Sequence, residues 1–185
     1  MSGIFGWISP HPTDDLQHQI SRMAESLRHK TWYQIETAVY QESHAAFGRV
    51  GIGIFNQETQ PIEISEGNLR IWFAGEMFRH NIPDYEPKWD ALTDPEFALM
   101  LYQHRGVTAF GQFEGSYQFT IWDVRDNLVF LVNDRWSSYP LHFFNGPEGF
   151  LFSPEFKAIL TIPGFNKEID FDALAEYVRM QRVLG

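Results

Sequence analysis

Apolar and polar positions along this chain alternate in two distinct rhythms. Gly3–Ile8 is an apolar run at the very start and reads as a short buried strand. Chain ends fray unless tied down, so a buried strand there calls for a structural reason. The rhythm then changes. Leu16, Ile20, Met23 and Leu27 recur at helical spacing. Thr13 offers a cap for that helix, Asp14 and Asp15 suit the positive end of its dipole, and its end is expected near Arg28.

A strand-rich stretch follows. Ile35, Thr37 and Val39 alternate with polar neighbours, as in a half-buried strand. Ala45–Phe55 is apolar and punctuated by glycine, and Leu69–Ala74 is apolar again after the turn signal Glu66-Gly67-Asn68. The proline-bearing, acidic stretch Ile82–Pro95 reads as a loop. Asp94 offers a cap for a second helix, with Pro95 in its first turn and Phe97, Leu101 and Tyr102 on its apolar face. Tyr117, Phe119 and Ile121 alternate, and a polar turn at Val124–Asn127 leads to Leu128–Val132, a hairpin whose second strand reads as buried on both faces. Leu141–Phe144 and Phe150–Phe152 form another pair around Asn145–Gly149. Pro154–Leu160 predicts a short helix, and Asp170 opens a last one through Leu174, Tyr177 and Val178. No repeat or low-complexity segment interrupts the pattern, which describes an α+β domain with helices on an antiparallel core.

Composition narrows the picture. The 185 residues suit one domain, and 44% apolar residues suffice for a sizeable core. The 17 Phe and 6 Trp fit a packed aromatic core better than an aromatic binding platform. A net charge of −10 gives no basic footprint for a nucleic-acid backbone or an anionic membrane surface. The absence of cysteine excludes disulfides, thiolate metal sites and a cysteine nucleophile. The seven His show no paired metal-ligand spacing, so no metal is expected. With neither a signal-peptide pattern nor a long apolar run, a soluble cytoplasmic protein is the default expectation.

Several short segments carry a specific resemblance. Met1-Ser2-Gly3-Ile4-Phe5-Gly6 is similar to the opening of class II glutamine amidotransferases of the asparagine synthetase kind, where Cys-Gly-Ile follows the initiator Met. Leu27-Arg28-His29-Lys30 resembles that family's Leu-Arg-His-Arg, although Thr31-Trp32-Tyr33 stands where Gly-Pro-Asp is usual. Gly48-Arg49-Val50 sits where the family carries an Arg before a Leu-Ser-Ile strand, Phe73-Ala74-Gly75-Glu76 resembles Tyr-Asn-Gly-Glu, and Thr93-Asp94-Pro95-Glu96 resembles Ser-Asp-Thr-Glu. Phe119–Asp123, Asn133-Asp134-Arg135 with Tyr139-Pro140-Leu141, and Leu151–Leu160 follow in the family's order. Each piece alone is weak; their order along essentially the whole chain is specific. The resemblance implies a single domain over residues 1–185 with the four-layer αββα sandwich of N-terminal nucleophile hydrolases. It also leaves room for a longer protein.

The same resemblance assigns the site and shows it altered. The family needs an N-terminal nucleophile freed of Met1, whose own α-amine serves as base. Here Ser2 takes the place of the catalytic Cys, and Ala74 takes the place of the Asn that helps form the oxyanion hole. Gly75, whose backbone N–H is the family's other oxyanion donor, is kept. Arg49 matches the residue that pairs with the glutamine α-carboxylate, and Glu76 and Asp94 match the acids near its α-amine. Taken alone, these three also read as a strand-edge arginine, a solvated loop acid and a helix cap. A deliberate Cys-to-Ser exchange would account for Ser2 but not for Ala74 or Thr31-Trp32-Tyr33.

Three functions stay open from the sequence. One is a non-catalytic domain beside a synthetase domain or subunit, which would carry any ATP and Mg; no cofactor is expected in this domain itself. The second is a live hydrolase with Ser2 as nucleophile. The third is a module that binds glutamine or a related amino acid without turnover, unless Thr31-Trp32-Tyr33 fills the cleft. The resemblance also leaves room for a homodimer.

Overall fold

The computed structural model describes residues 2–79, 82–165 and 167–183. Met1, whose removal the resemblance calls for, and the two final residues lie outside the described residues. The strands are β1 (Gly3–Ile8), β2 (Gln34–Tyr40), β3 (Ala45–Gly51), β4 (Ile62–Ile64), β5 (Leu69–Phe78), β6 (Glu114–Asp123), β7 (Leu128–Asn133), β8 (His142–Gly146) and β9 (Gly149–Ser153). The helices are α1 (Leu16–Leu27), α2 (Asp94–Arg105), α3 (Phe156–Ile159) and α4 (Phe171–Met180). Two antiparallel sheets result, ordered β2-β3-β1-β9-β8 and β4-β5-β6-β7.

Strand alternation sorts the side chains into three apolar layers. Phe5 and Trp7 on β1, Ala46 and Val50 on β3, and Leu151 on β9 pack under α1 and α3. The opposite faces of those strands send Ile4, Ala45, Phe47 and Phe152 inward against Trp72 of β5 and Trp122 of β6. Leu69, Ile71 and Phe73 of β5, with Phe119 and Ile121 of β6, turn outward onto Phe97, Ala98 and Leu101 of α2. The order is therefore helix, sheet, sheet, helix, as the resemblance implies. The aromatic surplus fills these layers; Phe47 lies 4.9 Å from Trp72 and 5.5 Å from Trp122 between ring centroids.

The buried start of the chain has its reason here. β1 pairs with β3 on one side, from Gly3↔Val50 to Ile8↔Ala45, and with β9 on the other, from Gly6↔Phe152 to Ile8↔Phe150. An N-terminal strand in the middle of a sheet cannot fray without breaking two ladders.

Three local expectations are corrected. α1 starts at Leu16 after Asp15; the Thr13 hydroxyl instead accepts the Asp15 N–H at 3.2 Å, two residues too early to cap the helix. α2 is capped by Thr93, not Asp94: a capping box joins Thr93 and Glu96, whose carboxylate accepts the Thr93 N–H at 2.8 Å. β7 is half-exposed rather than buried on both faces, because it closes one edge of its sheet with β6 as its neighbour. Asp170 does cap α4, accepting from the N–H groups of Asp172 and Ala173 at 3.0 Å.

Burial of tyrosine hydroxyls ties stability to high pH. Burial is the largest cause raising Tyr117, Tyr40 and Tyr102 from 10.0 to about 12; for Tyr102 the neighbouring Asp123 carboxylate adds to the rise. Each folded pKa stands above the unfolded value, so the folded state holds these protons more tightly. The associated stability is fully present below pH 10 and is lost as the pH climbs toward about 12. A phenolate absorbance titration run beside a denaturation series should show these tyrosines ionising together with unfolding; three tyrosines titrating near the ordinary value in the folded protein would contradict it.

Candidate active site

The layer between the sheets changes character at one end. On β3 the inward positions run Ala45, Phe47, Arg49, and on β5 they run Trp72, Ala74. Apolar filling thus ends at Arg49 and Ala74. β1 runs antiparallel to β3, so its first residues lie beside the same end. There Ser2, Arg49, Ala74 and Gly75 line one pocket together with Tyr139 and the loop residues Ile52, Ile54 and Phe55. The three positions that the resemblance assigns to the nucleophile and the oxyanion donors therefore line one pocket. The cavity measures about 50 Å³, room for a few waters but far below the several hundred Å³ of ordinary small-molecule pockets.

Ser2 is half-buried and Ala74 is 4% exposed. The Ala74 methyl group has no hydrogen to donate, so a developing oxyanion here lacks the side-chain donor that an amide would supply. Gly75 is required by the backbone itself: its φ is +115°, and an added Cβ would lie 2.1 Å from the Ser116 carbonyl oxygen.

Arg49 is buried, at 4% exposure, and each of its three guanidinium nitrogens donates to an acceptor within the protein. Nε donates to Glu36 Oε2 at 2.8 Å and Nη2 contacts the same oxygen at 2.6 Å. Nη1 donates to the carbonyls of Asn56 at 2.6 Å and Phe73 at 3.4 Å, and Nη2 to that of Glu58 at 3.2 Å. The loop after β3 is held further by Asn56 Nδ2, which donates to the Gly75 carbonyl at 2.5 Å, and by Gln60, whose Oε1 accepts the Phe73 N–H at 2.6 Å.

The two acids part company. Glu76 follows Gly75 on β5 and is exposed; with Asp134 it adds to the upward shift that burial gives Tyr139, a residue of the pocket wall. Like Glu76, Asp94 does not line the pocket. Its Oδ2 accepts the Met77 N–H at 3.0 Å and its Oδ1 meets Arg79 Nη2 at 2.9 Å. Arg79 also donates to the carbonyls of Trp89 and Leu92, so Asp94 belongs to a clamp between β5 and the entry to α2. Thr31-Trp32-Tyr33 does not fill the pocket: Trp32 is 59% exposed, and Tyr33 packs against the α1 layer.

Sequence reasoning missed four groups. Glu36 reads as the solvent side of an alternating strand until the register sets it opposite Arg49. Gln118 is fully buried; its Oε1 accepts the Ile4 N–H and its Nε2 donates to the Pro140 carbonyl, both at 3.0 Å. Tyr139 reaches the pocket on a turn organised by buried Asp134, which accepts from the N–H groups of Tyr117, Trp136 and Ser138. Asn56 and its loop carried no signal beyond their glycine and asparagine content. Among the described residues, no cluster of three or more His, Asp or Glu is placed to hold a metal, and no helix is long and apolar enough to cross a membrane.

Comparison with known proteins agrees with this geometry. The glutamine amidotransferase domain family matches residues 1–184, so the chain belongs to that family. Its relatives include asparagine synthetase [glutamine-hydrolyzing] 1 of Bacillus subtilis, 24% identical over 99% of this chain and 30% of the relative. Asparagine synthetase [glutamine-hydrolyzing] 3 of the same organism is 26% identical over 95% of this chain and 30% of the relative. A putative asparagine synthetase [glutamine-hydrolyzing] 2 of Methanocaldococcus jannaschii is 30% identical over 62% of this chain and 23% of the relative. The chain thus spans less than a third of the length of these relatives.

The Gly75 geometry gives a direct test. Gly75→Ala combines a strained positive φ with a backbone overlap and should cost roughly 2–6 kcal/mol in urea denaturation. Gly111→Ala, where a Cβ meets nothing within 4 Å, should stay within about 0.5 kcal/mol of wild type. Equal stability of the two variants would contradict the close approach of β5 and β6.

Proposed function

We propose that this glutamine amidotransferase domain has no glutaminase activity and serves as an accessory to a synthetase domain or subunit. The observation that carries the reading is the meeting of Ser2, Ala74 and Gly75 in one small pocket. A hydroxyl replaces the thiol at the nucleophile position. It does so beside an oxyanion site short of one donor, a loss that typically costs roughly a hundred- to a thousand-fold in rate. The pocket's volume of about 50 Å³ supports the reading independently, since it leaves little room for a glutamine. Ser2 lining the pocket beside Gly75 is what keeps an N-terminal-serine hydrolase as the second reading.

The synthetase partner is supported by two features. The relatives are named as whole asparagine synthetases and are more than three times this chain's length. In α4, Phe171, Leu174, Ala175 and Val178 form an apolar stripe, with Phe171 and Val178 each 75% exposed. The less exposed residues, Ala173 and Glu176, lie on the opposite side, so the stripe faces away from its own domain. ATP and Mg would belong to that partner.

Glutamate release from glutamine should be negligible for wild type and for Ser2→Cys. The double variant Ser2→Cys/Ala74→Asn should exceed Ser2→Cys by roughly a hundred- to a thousand-fold if the pocket admits substrate. Robust release by wild type that Ser2→Ala abolishes would establish the hydrolase instead. Equal rates for Ser2→Cys and the double variant would remove Ala74 from the explanation.

A further inference from the structure

The pocket's arginine already has a carboxylate. Glu36 of β2 stands directly opposite Arg49 of β3 in the sheet register. Its Oε2 takes both Nε and Nη2 of the guanidinium, at 2.8 and 2.6 Å, and its Oε1 accepts the Gln60 N–H at 3.1 Å. We propose that Glu36 is an internal stand-in for a ligand carboxylate, closing this pocket to free amino acids by occupying the group that would recognise them. The inference rests on the family reading of Arg49 as the carboxylate-recognising residue of the site.

Three observations support it. Arg49 lines the pocket and Glu36 does not, so Glu36 holds the guanidinium from behind the pocket wall, along the edge that carries Nε and Nη2. Nη1 and Nη2 also donate to the carbonyls of Asn56, Glu58 and Phe73, so every nitrogen of the guanidinium is engaged within the protein while Glu36 is in place. Charge points the same way. The guanidinium and the Glu36 carboxylate offset each other, and no other pocket-lining residue among those described carries a cationic side chain. Removing Glu36 would leave a buried positive charge without a partner, a state that strongly favours capture of a carboxylate. An ion pair walled off from the pocket would also be destabilised by its loss, but no anion from solution could reach its guanidinium.

The test uses acetate, the smallest alkyl carboxylate that fits a cavity of about 50 Å³, with chloride at equal ionic strength as control. Wild type should show no saturable thermal shift with acetate. Glu36→Ala should be less stable than wild type and should regain stability with acetate in a saturating manner, beyond the chloride control. That rescue should vanish in Glu36→Ala/Arg49→Leu. If Glu36→Ala does not fold, Glu36→Gln keeps an acceptor for the Gln60 N–H while removing the charge. It should bind acetate roughly ten- to a hundred-fold more tightly than wild type, the worth of one or two charge-assisted contacts. Acetate acting no better than chloride on the Glu36 variants, or binding wild type as tightly as it binds them, overturns the inference. Glutamate release measured on the same samples keeps the questions apart: release by wild type would refute the inactive-domain reading, whereas the acetate result bears on Glu36 alone.

Discussion

The pairing of β1 between β3 and β9 is the constraint from which most of this structure follows. A strand with neighbours on both sides must satisfy two ladders and bury both faces, which is why its sequence is apolar without interruption. Phe5 and Trp7 go to the helix layer and Ile4 goes between the sheets. Because the strand begins at Gly3, the residue before it is delivered to the end of the inter-sheet layer. The chain start is fixed there by the Gln118 side chain, whose Oε1 accepts the Ile4 N–H. Cβ atoms at Gly3 or Gly6 would collide with Pro154 or with Phe47 and Phe152, so the glycines of this opening are also packing requirements.

The pocket is the place where that inter-sheet layer stops being apolar. Strand alternation carries the aromatic core up to Phe47 and Trp72, and the next inward positions are Arg49 and Ala74. A buried arginine at such a boundary needs counter-charge and acceptors. The protein supplies them from β2 and from the loop after β3, drawing that loop against β5 through Asn56 and Gln60. The wall of the cleft and the neutralisation of the arginine are thus one arrangement.

Much of this was legible in the sequence. Alternation and a polar turn found the β6–β7 hairpin, apolar runs around Asn145–Gly149 found the β8–β9 hairpin, helical spacing found α1 and α2, and the Asp170 cap placed the start of α4. Short motifs in family order put Ser2, Arg49, Ala74 and Gly75 in one site, and the structure brings those four together. What stayed hidden depends on register and sheet order. An apolar run such as Leu128–Val132 has the same composition in a central strand and at an edge. Two equivalent cap candidates, Thr93 and Asp94, are separated by the reciprocal bond from Glu96. Glu36 became informative once β2 was paired with β3, since nothing in its own neighbourhood distinguishes it from a solvated strand residue. Asp94 was misleading for the converse reason: its motif position is kept, but here its carboxylate serves Arg79 and the β5 backbone.

The exposed stripe of α4 has a bearing on cooperativity. The two sheets and their covering helices share continuous packing and melt as one unit, because no layer buries its apolar face alone. A ten-residue helix whose apolar stripe is turned away from that packing draws little stability from it, and a helix of this length is marginal in water on its own. Its local opening therefore costs far less than global unfolding, and it lies outside the cooperative unit of the sandwich. Whatever surface comes to cover Phe171, Leu174 and Val178 would order that segment first, and since no α4 residue lines the pocket, such contact would leave the pocket wall as it is.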